Sequence, residues 1–193
     1  MARAWILLPL LTALVGCAAT RPTMLGTTGE PDADVDALRT ARVHRIGSDL
    51  ARATAAPERI DLGLSSRDTL GAWSWPDGRI RVSRTLVDLL DDDALAAALA
   101  HEIGHLLDGG HVADGSSALA GASSGARHDG PGLELRADAV ACSLLRARGT
   151  PVEALPRMLR TVARDLTPAS DGPDPAALRQ RAAVAERSCV AAR

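Results

Sequence analysis

Five consecutive residues near the middle of the chain, His101-Glu102-Ile103-Gly104-His105, have types and a spacing suited to metal chemistry. They read H-E-x-x-H, and in a helix residues four apart lie one turn apart on the same face. His101 and His105 can therefore direct both imidazoles at one metal ion. Glu102 lies beside them, where its carboxylate can take a proton from a metal-bound water. The pattern predicts a hydrolytic zinc site with one zinc per chain.

The residues around this motif predict that it lies in a helix. Asp91, Asp92 and Asp93 offer an N-cap and negative charge at a helix start. Apolar side chains then recur at helical spacing and predict a buried stripe, which consists of Leu95, Leu99, Ile103 and Leu106. The simpler alternative is a pair of ordinary helix histidines that bind no metal.

Catalytic zinc takes three protein ligands and leaves one position for water, so a third ligand is needed. We favour Glu134, which begins Glu134-Leu135-Arg136-Ala137-Asp138, an E-x-x-x-D pattern on a predicted apolar helix. Glu134 and Asp138 lie one turn apart. One carboxylate can bind zinc while the other accepts a hydrogen bond from a ligand histidine and fixes its tautomer. The alternative is a solvated helix edge.

His111 is the rival third ligand. It stands ten residues after His101, as in the metzincin pattern H-E-x-x-H-x-x-G-x-x-H, but that pattern needs glycine at position 108, where this chain has Asp108. No convincing Met-turn follows, since Met158 lies in a helix-like run. His128, in a Gly-rich segment, is a third candidate that is more simply explained as solvated. Residues 109–132 are predicted to be a mobile loop, either a lid over the cleft or an ordinary insertion.

The N-terminal residues resemble a bacterial lipoprotein signal. Arg3 gives a positive start, residues 6–15 are apolar but too few to span a membrane as a helix, and Leu14-Val15-Gly16-Cys17 is similar to a lipobox. We expect cleavage before Cys17 and lipidation of its thiol. A plain secretory signal with an incidental cysteine is the alternative.

This N-terminus predicts the organisation and location of the chain. A signal peptide occupies residues 1–16, a flexible tether residues 17–32 and one domain residues 33–193. Ala18 after the lipidated cysteine suggests, by resemblance to Gram-negative lipoproteins, the periplasmic face of the outer membrane. A Gram-positive surface lipoprotein has the same features. In either case the membrane is a partner through the N-terminal lipid.

Charge and cysteine content limit the partners and the compartment. The formal net charge is −2, only 2% of residues are aromatic, and there is no basic stripe, so nucleic acid is not expected as a partner. Cys142 and Cys189 remain when Cys17 is acylated. A disulfide between them is plausible in an oxidising compartment, and two buried free thiols are the alternative.

Periodicity predicts an α+β fold that is mostly α. Helices are predicted over residues 32–56, 85–90, 133–148, 151–166 and 174–189, in addition to the metal helix. The β region is an alternating segment at 59–64 and a hairpin of 72–75 and 79–82 around Pro76-Asp77-Gly78. The expected sheet is small and antiparallel, and it lies beside the H-E-x-x-H helix.

The chain resembles the HtpX-like family of gluzincin zinc metallopeptidases, which includes the Oma-type and Ste-type proteases. Residues 42–46, 78–86, 93–107 and 134–138 match its leading helix, edge strand, H-E-x-x-H helix and E-x-x-x-D helix in order. The resemblance implies a zincin-like domain in which His101, His105 and Glu134 bind zinc. It also implies that Glu102 is the general base and that Asp138 supports a ligand histidine.

The resemblance further implies a zinc endopeptidase that binds an extended polypeptide by strand addition near residues 73–75. Its expected substrates are unfolded or misassembled envelope proteins, which is protein quality control. One feature departs from the family, whose members often have a His-Pro pair before the last helix. At the corresponding position this chain has Asp174-Pro175, followed by Arg179 and Arg181. One of these arginines, or His128, is a candidate to replace the missing histidine. A non-catalytic, zinc-stabilised chaperone or assembly adaptor is the alternative function.

Overall fold

The computed structural model describes residues 31–67, 69–108, 130–166 and 174–190. These residues form a mostly helical α+β domain with one small sheet, which confirms the predicted fold class. The elements in chain order are α1 (Pro31–Ala51), β1 (Asp61–Ser65), β2 (Ala72–Ser74), β3 (Arg79–Ser83), α2 (Arg84–Leu89), α3 (Asp92–Asp108), α4 (Gly130–Arg148), α5 (Ala154–Asp165) and α6 (Pro175–Val190).

The hairpin of β2 and β3 forms as predicted around a tight turn. Gly78 in this turn has a φ of 93°, and a Cβ there would lie 1.8 Å from the carbonyl oxygen of Arg59. The turn therefore requires glycine. The hydrogen bond from the Trp75 N–H to the Arg79 carbonyl closes the hairpin.

The sheet is mixed, and the expectation of a wholly antiparallel sheet is wrong for β1. Its strand order is β1-β3-β2, with β2 antiparallel to β3 and β1 parallel to β3. Strands β1 and β3 therefore run in the same direction, and β2 runs in the opposite direction. The same order makes β2 an edge strand of the described sheet.

Helix α3 lies at the centre of the domain. It packs against α1, α4, α5 and strand β2. Every residue from Ala94 to His105 is buried. Many of these residues are alanines, and short side chains let the surrounding elements approach the α3 backbone closely. The motif helix is therefore enclosed on several sides, which differs from the surface helix that a single apolar stripe predicts.

Several element boundaries differ from the sequence expectation, among them the start of α5, which lies at Ala154 rather than at residue 151. Helix α1 ends at Ala51, before the predicted end at residue 56. Helix α4 begins at Gly130, inside the segment predicted to be loop, and Gly149 with a φ of 78° follows its last residue. Among the described residues, no helix has the length and apolar character needed to cross a membrane.

Candidate metal centre

Helix α3 holds both histidines and the glutamate of the motif in the interior. Its N-terminus is capped by Asp91, whose Oδ1 accepts a 2.8 Å hydrogen bond from the Ala94 N–H. His101 and Glu102 are fully buried, and His105 is 6% exposed. Polar groups at such depth need partners, because an unpaired buried polar group costs free energy.

The partners come from α4, which approaches α3 very closely at Gly104. A Cβ on Gly104 would lie 2.7 Å from the carbonyl oxygen of Ala137. Glycine at this position therefore allows the two backbones to come together. Glu134 and Asp138 flank Ala137 on α4, so the close approach brings their carboxylates to the histidine rings.

Three side chains converge on one point. The Nε2 atoms of His101 and His105 lie 3.1 Å apart. Oε2 of Glu134 is 3.4 Å from Nε2 of His101, and Oε1 of Glu134 is 3.5 Å from Nε2 of His105. The edges of a tetrahedron with bonds of about 2.0–2.1 Å measure roughly 3.3 Å, so these separations fit a zinc ion. Among the described residues, the three ligand atoms form a group able to hold a metal.

Asp138 orients the first of these histidines. Nδ1 of His101 lies 2.9 Å from Oδ1 of Asp138, which leaves Nε2 of the ring to face the ligand group. Burial alone would raise the pKa of Asp138, but the hydrogen bond from His101 and the nearby guanidinium of Arg181 lower it to about 2. Burial and Arg181 would lower the pKa of His101, yet its hydrogen bonds to Asp138 and Glu134 raise it to about 9. The two carboxylates thus favour a positive charge at this position.

Glu102 is placed as a base rather than as a ligand. Its Oε2 accepts a 2.9 Å hydrogen bond from the hydroxyl of Ser74 on strand β2. Its Oε1 is buried and has no hydrogen-bond partner. Burial raises the pKa of Glu102 to about 7. A carboxylate with a pKa near neutrality and a free oxygen is suited to accept and return a proton.

The comparison with known families agrees with this geometry. The sequence model of peptidase family M48 matches residues 37–125, which contain most of α1, the sheet and the complete H-E-x-x-H helix. This part of the chain is similar to peptidase family M48. Members of this family are zinc metallopeptidases. No curated protein and no solved structure gives a significant match to the chain.

The match to family M48 ends before two helices that contribute to the site. Glu134 and Asp138 lie on α4, and Arg181 lies on α6, all beyond residue 125. Arg181 is one of the two arginines expected as a substitute for the missing histidine. The other candidate arginine, Arg179, is exposed to solvent.

Arg181 contacts both carboxylates of α4. Its Nε and Nη2 donate to the two oxygens of Asp138 at 3.0 and 2.8 Å. Its Nη1 lies 2.5 Å from Oε2 of Glu134 as an ion pair, although this contact lacks hydrogen-bond alignment. The side chain of Arg181 is only 12% exposed. The site therefore contains a largely buried guanidinium beside its predicted metal ligands.

The remaining predicted site residues divide into two groups. Cys142 on α4 and Cys189 on α6 form a disulfide, with their Cα atoms 5.8 Å apart. Cys17, His111 and His128 lie outside the described residues, as does most of the predicted loop.

Ser74 is a site residue that sequence reasoning missed. It lies in an alternating strand between two tryptophans, where its type suggests nothing beyond a polar strand position. Only the packing of β2 against α3 brings its hydroxyl to Glu102. No sequence signal distinguishes it from the other serines of the chain.

Proposed function

We propose that this protein is a zinc metallopeptidase similar to family M48, an endopeptidase that cleaves extended segments of unfolded or misassembled proteins in a bacterial cell envelope. The observation that carries the proposal is the contact between Ser74 and Glu102. It joins the edge strand of the sheet directly to the carboxylate best placed to act as a base.

The metal ligands of the proposed site are His101, His105 and Glu134, with Asp138 supporting His101. A zinc ion held by these residues would supply a Lewis acid, able to acidify a water molecule and to polarise a carbonyl oxygen. Oε1 of Glu102 takes the proton from the attacking water, since this oxygen has no other partner. Glu102 then delivers that proton to the leaving amine as the peptide bond breaks.

The edge strand β2 is the proposed substrate-binding element. Trp73 pairs with Arg81, and the flanking hydrogen bonds join Gly71 to Ser83 and Trp75 to Arg79. Backbone groups alternate in direction along an antiparallel strand, so those of Ser74 point away from β3 toward the open edge. A peptide added there as a further strand would run past the side chain of Glu102. Recognition through the backbone suits a protease that acts on unfolded chains of many sequences.

The envelope location rests on two observations. Cys17 follows an apolar run and completes a lipobox-like sequence, which supports a lipid anchor. The disulfide between Cys142 and Cys189 supports an oxidising compartment such as the periplasm. Mass spectrometry of the N-terminal peptide tests the anchor. We expect an acylated Cys17 and a Cys17→Ser variant that leaves the membrane fraction, whereas unmodified Cys17 contradicts this part of the proposal.

The function is tested by cleavage of an unfolded protein such as casein by the purified full-length chain in mild detergent. We expect zinc-dependent cleavage that stops on chelation and falls by at least about 100-fold in Glu102→Gln. Glu58→Gln is the control, because Glu58 is exposed and lies in a short 3-10 helix, Pro57–Arg59, between α1 and β1. Binding of casein without cleavage, at full zinc occupancy, supports instead the zinc-stabilised chaperone or adaptor.

A further inference from the structure

The guanidinium of Arg181 bridges two carboxylates that have different tasks in the site. It donates two hydrogen bonds to Asp138, which holds His101, and it forms an ion pair with Glu134, which faces both histidines. These three contacts come from the three nitrogens of one planar group. Nη2 of Arg181 also lies 3.3 Å from both ring nitrogens of His101, so the guanidinium faces His101 as well as the two carboxylates.

The arginine also balances charge in a buried cluster. Glu102, Glu134 and Asp138 contribute three negative charges when ionised, and Arg181 contributes one positive charge. A divalent cation brings the total to zero. Without Arg181 the site would hold an excess negative charge in an interior where unpaired charge is costly. The carboxylates would then move apart or take up protons, and either change removes a metal ligand or the support of His101.

Helix α6 is fastened to α4 close to this cluster. The disulfide from Cys189 reaches Cys142 on α4, about one turn beyond Asp138. The guanidinium of Arg146 on α4 also donates to the Cys189 carbonyl oxygen. Arg181 lies two turns before Cys189 on the same helix. The guanidinium of Arg181 therefore projects from α6, and the disulfide joins α6 covalently to α4, which carries the two carboxylates.

We infer that Arg181 is a positioning residue of the metal centre: its planar fork holds Glu134 and Asp138 in the arrangement that binds the metal ion. The role depends on shape as well as charge. Arginine presents several donors in one rigid plane and can bridge two carboxylates at once. A lysine at the same place carries the charge but is a single point donor, so it can hold only one carboxylate well.

The inference is tested by metal affinity, which does not depend on the proposed peptidase function. Zinc affinity of the purified full-length chain is measured by competition with a chelator, for wild type, Arg181→Met, Arg181→Lys and Arg179→Met. We expect Arg181→Met to bind zinc roughly 10–100-fold more weakly and Arg181→Lys about tenfold more weakly. Arg179→Met is the matched control on an exposed position of the same helix and should bind as wild type.

Each other outcome overturns the inference. Wild-type affinity in Arg181→Met shows that the bridge is not needed, and tighter binding shows that the guanidinium acts mainly by repelling the metal. Wild-type affinity in Arg181→Lys shows that charge alone suffices. If Arg181→Met does not fold, Arg181→Lys decides, because it retains the charge that compensates Glu134 and Asp138.

A second readout separates positioning from direct action on the substrate. Casein cleavage is measured at saturating zinc, where a residue that acts only through the ligands should lose little kcat. We expect Arg181→Lys to keep kcat within about threefold of wild type when its site is filled. A large loss of kcat at full occupancy, with unchanged zinc affinity, would assign Arg181 to the reacting atoms and overturn the positioning role.

Discussion

The hydroxyl of Ser74 donates a 2.9 Å hydrogen bond to Oε2 of Glu102, and both groups are buried. One residue belongs to the edge strand of the sheet and the other to the motif helix. The contact leaves Oε1 as the unpaired oxygen of Glu102. It therefore leaves Oε1 available for proton transfer and ties the carboxylate, through Oε2, to the strand proposed to bind the substrate.

We predict that Ser74→Ala lowers kcat for casein by roughly tenfold, because a lost hydrogen bond to a charged group costs more than 1 kcal/mol. The zinc content should not change, since Ser74 contacts no predicted ligand. Ser66→Ala, at an exposed position after β1, is the control. Unchanged kcat in Ser74→Ala would show that helix α3 alone positions Glu102.

The close approach of Gly104 to Ala137 predicts a large effect from one added methyl group. The Cβ of Gly104→Ala would lie 2.7 Å from a backbone oxygen, so α4 must shift and carry Glu134 and Asp138 with it. We expect a destabilisation of about 1–3 kcal/mol, together with weaker zinc binding. Thermal unfolding and zinc content measure the two effects.

Gly130→Ala is the matched control for this substitution. A Cβ on Gly130 meets no atom within 4 Å, and the residue lies at the start of α4. Alanine is favoured over glycine within a helix, so this variant should be as stable as wild type or slightly more stable. If Gly104→Ala and Gly130→Ala unfold at the same temperature and bind the same amount of zinc, close packing at Gly104 is not required.

The third ligand can be decided by zinc stoichiometry. We expect about one zinc per chain in the wild type, loss of that zinc in Glu134→Ala, and retention in His111→Ala. The expectation follows from the distances of 3.4 and 3.5 Å between the Glu134 carboxylate and the two histidines. Zinc that is kept without Glu134 but lost without His111 would establish the metzincin-like arrangement instead.

The disulfide between Cys142 and Cys189 should contribute to stability by restricting the unfolded chain. Its partners are 47 residues apart, and the loop-entropy relation then gives about 4 kcal/mol. We expect Cys142→Ser combined with Cys189→Ser to unfold at a markedly lower temperature. Reductant should lower the unfolding temperature of the wild type but leave that of the double variant unchanged. A similar response of both proteins to reductant would mean that the bridge does not form in solution.

The sequence by itself determined the features that depend on near neighbours in the chain. The i,i+4 spacing of His101 and His105 places them on one helix face whatever surrounds that helix. The turn at Pro76-Asp77-Gly78 follows from the backbone preferences of its residues. The E-x-x-x-D pattern likewise predicted that Glu134 and Asp138 lie one turn apart.

Only the tertiary structure decided which distant residues meet these groups. Ser74 and Arg181 reach the site from a strand and from the last helix. The family resemblance made Arg181 a candidate substitute for a histidine, but no local pattern marks it as the partner of Asp138 or marks Ser74 as the partner of Glu102. The parallel pairing of β1 with β3 is likewise set by where the hairpin lies, not by the alternation within the strand. Such contacts join residues far apart in sequence. They depend on how whole helices and strands pack, and periodicity along one element carries no information about that packing.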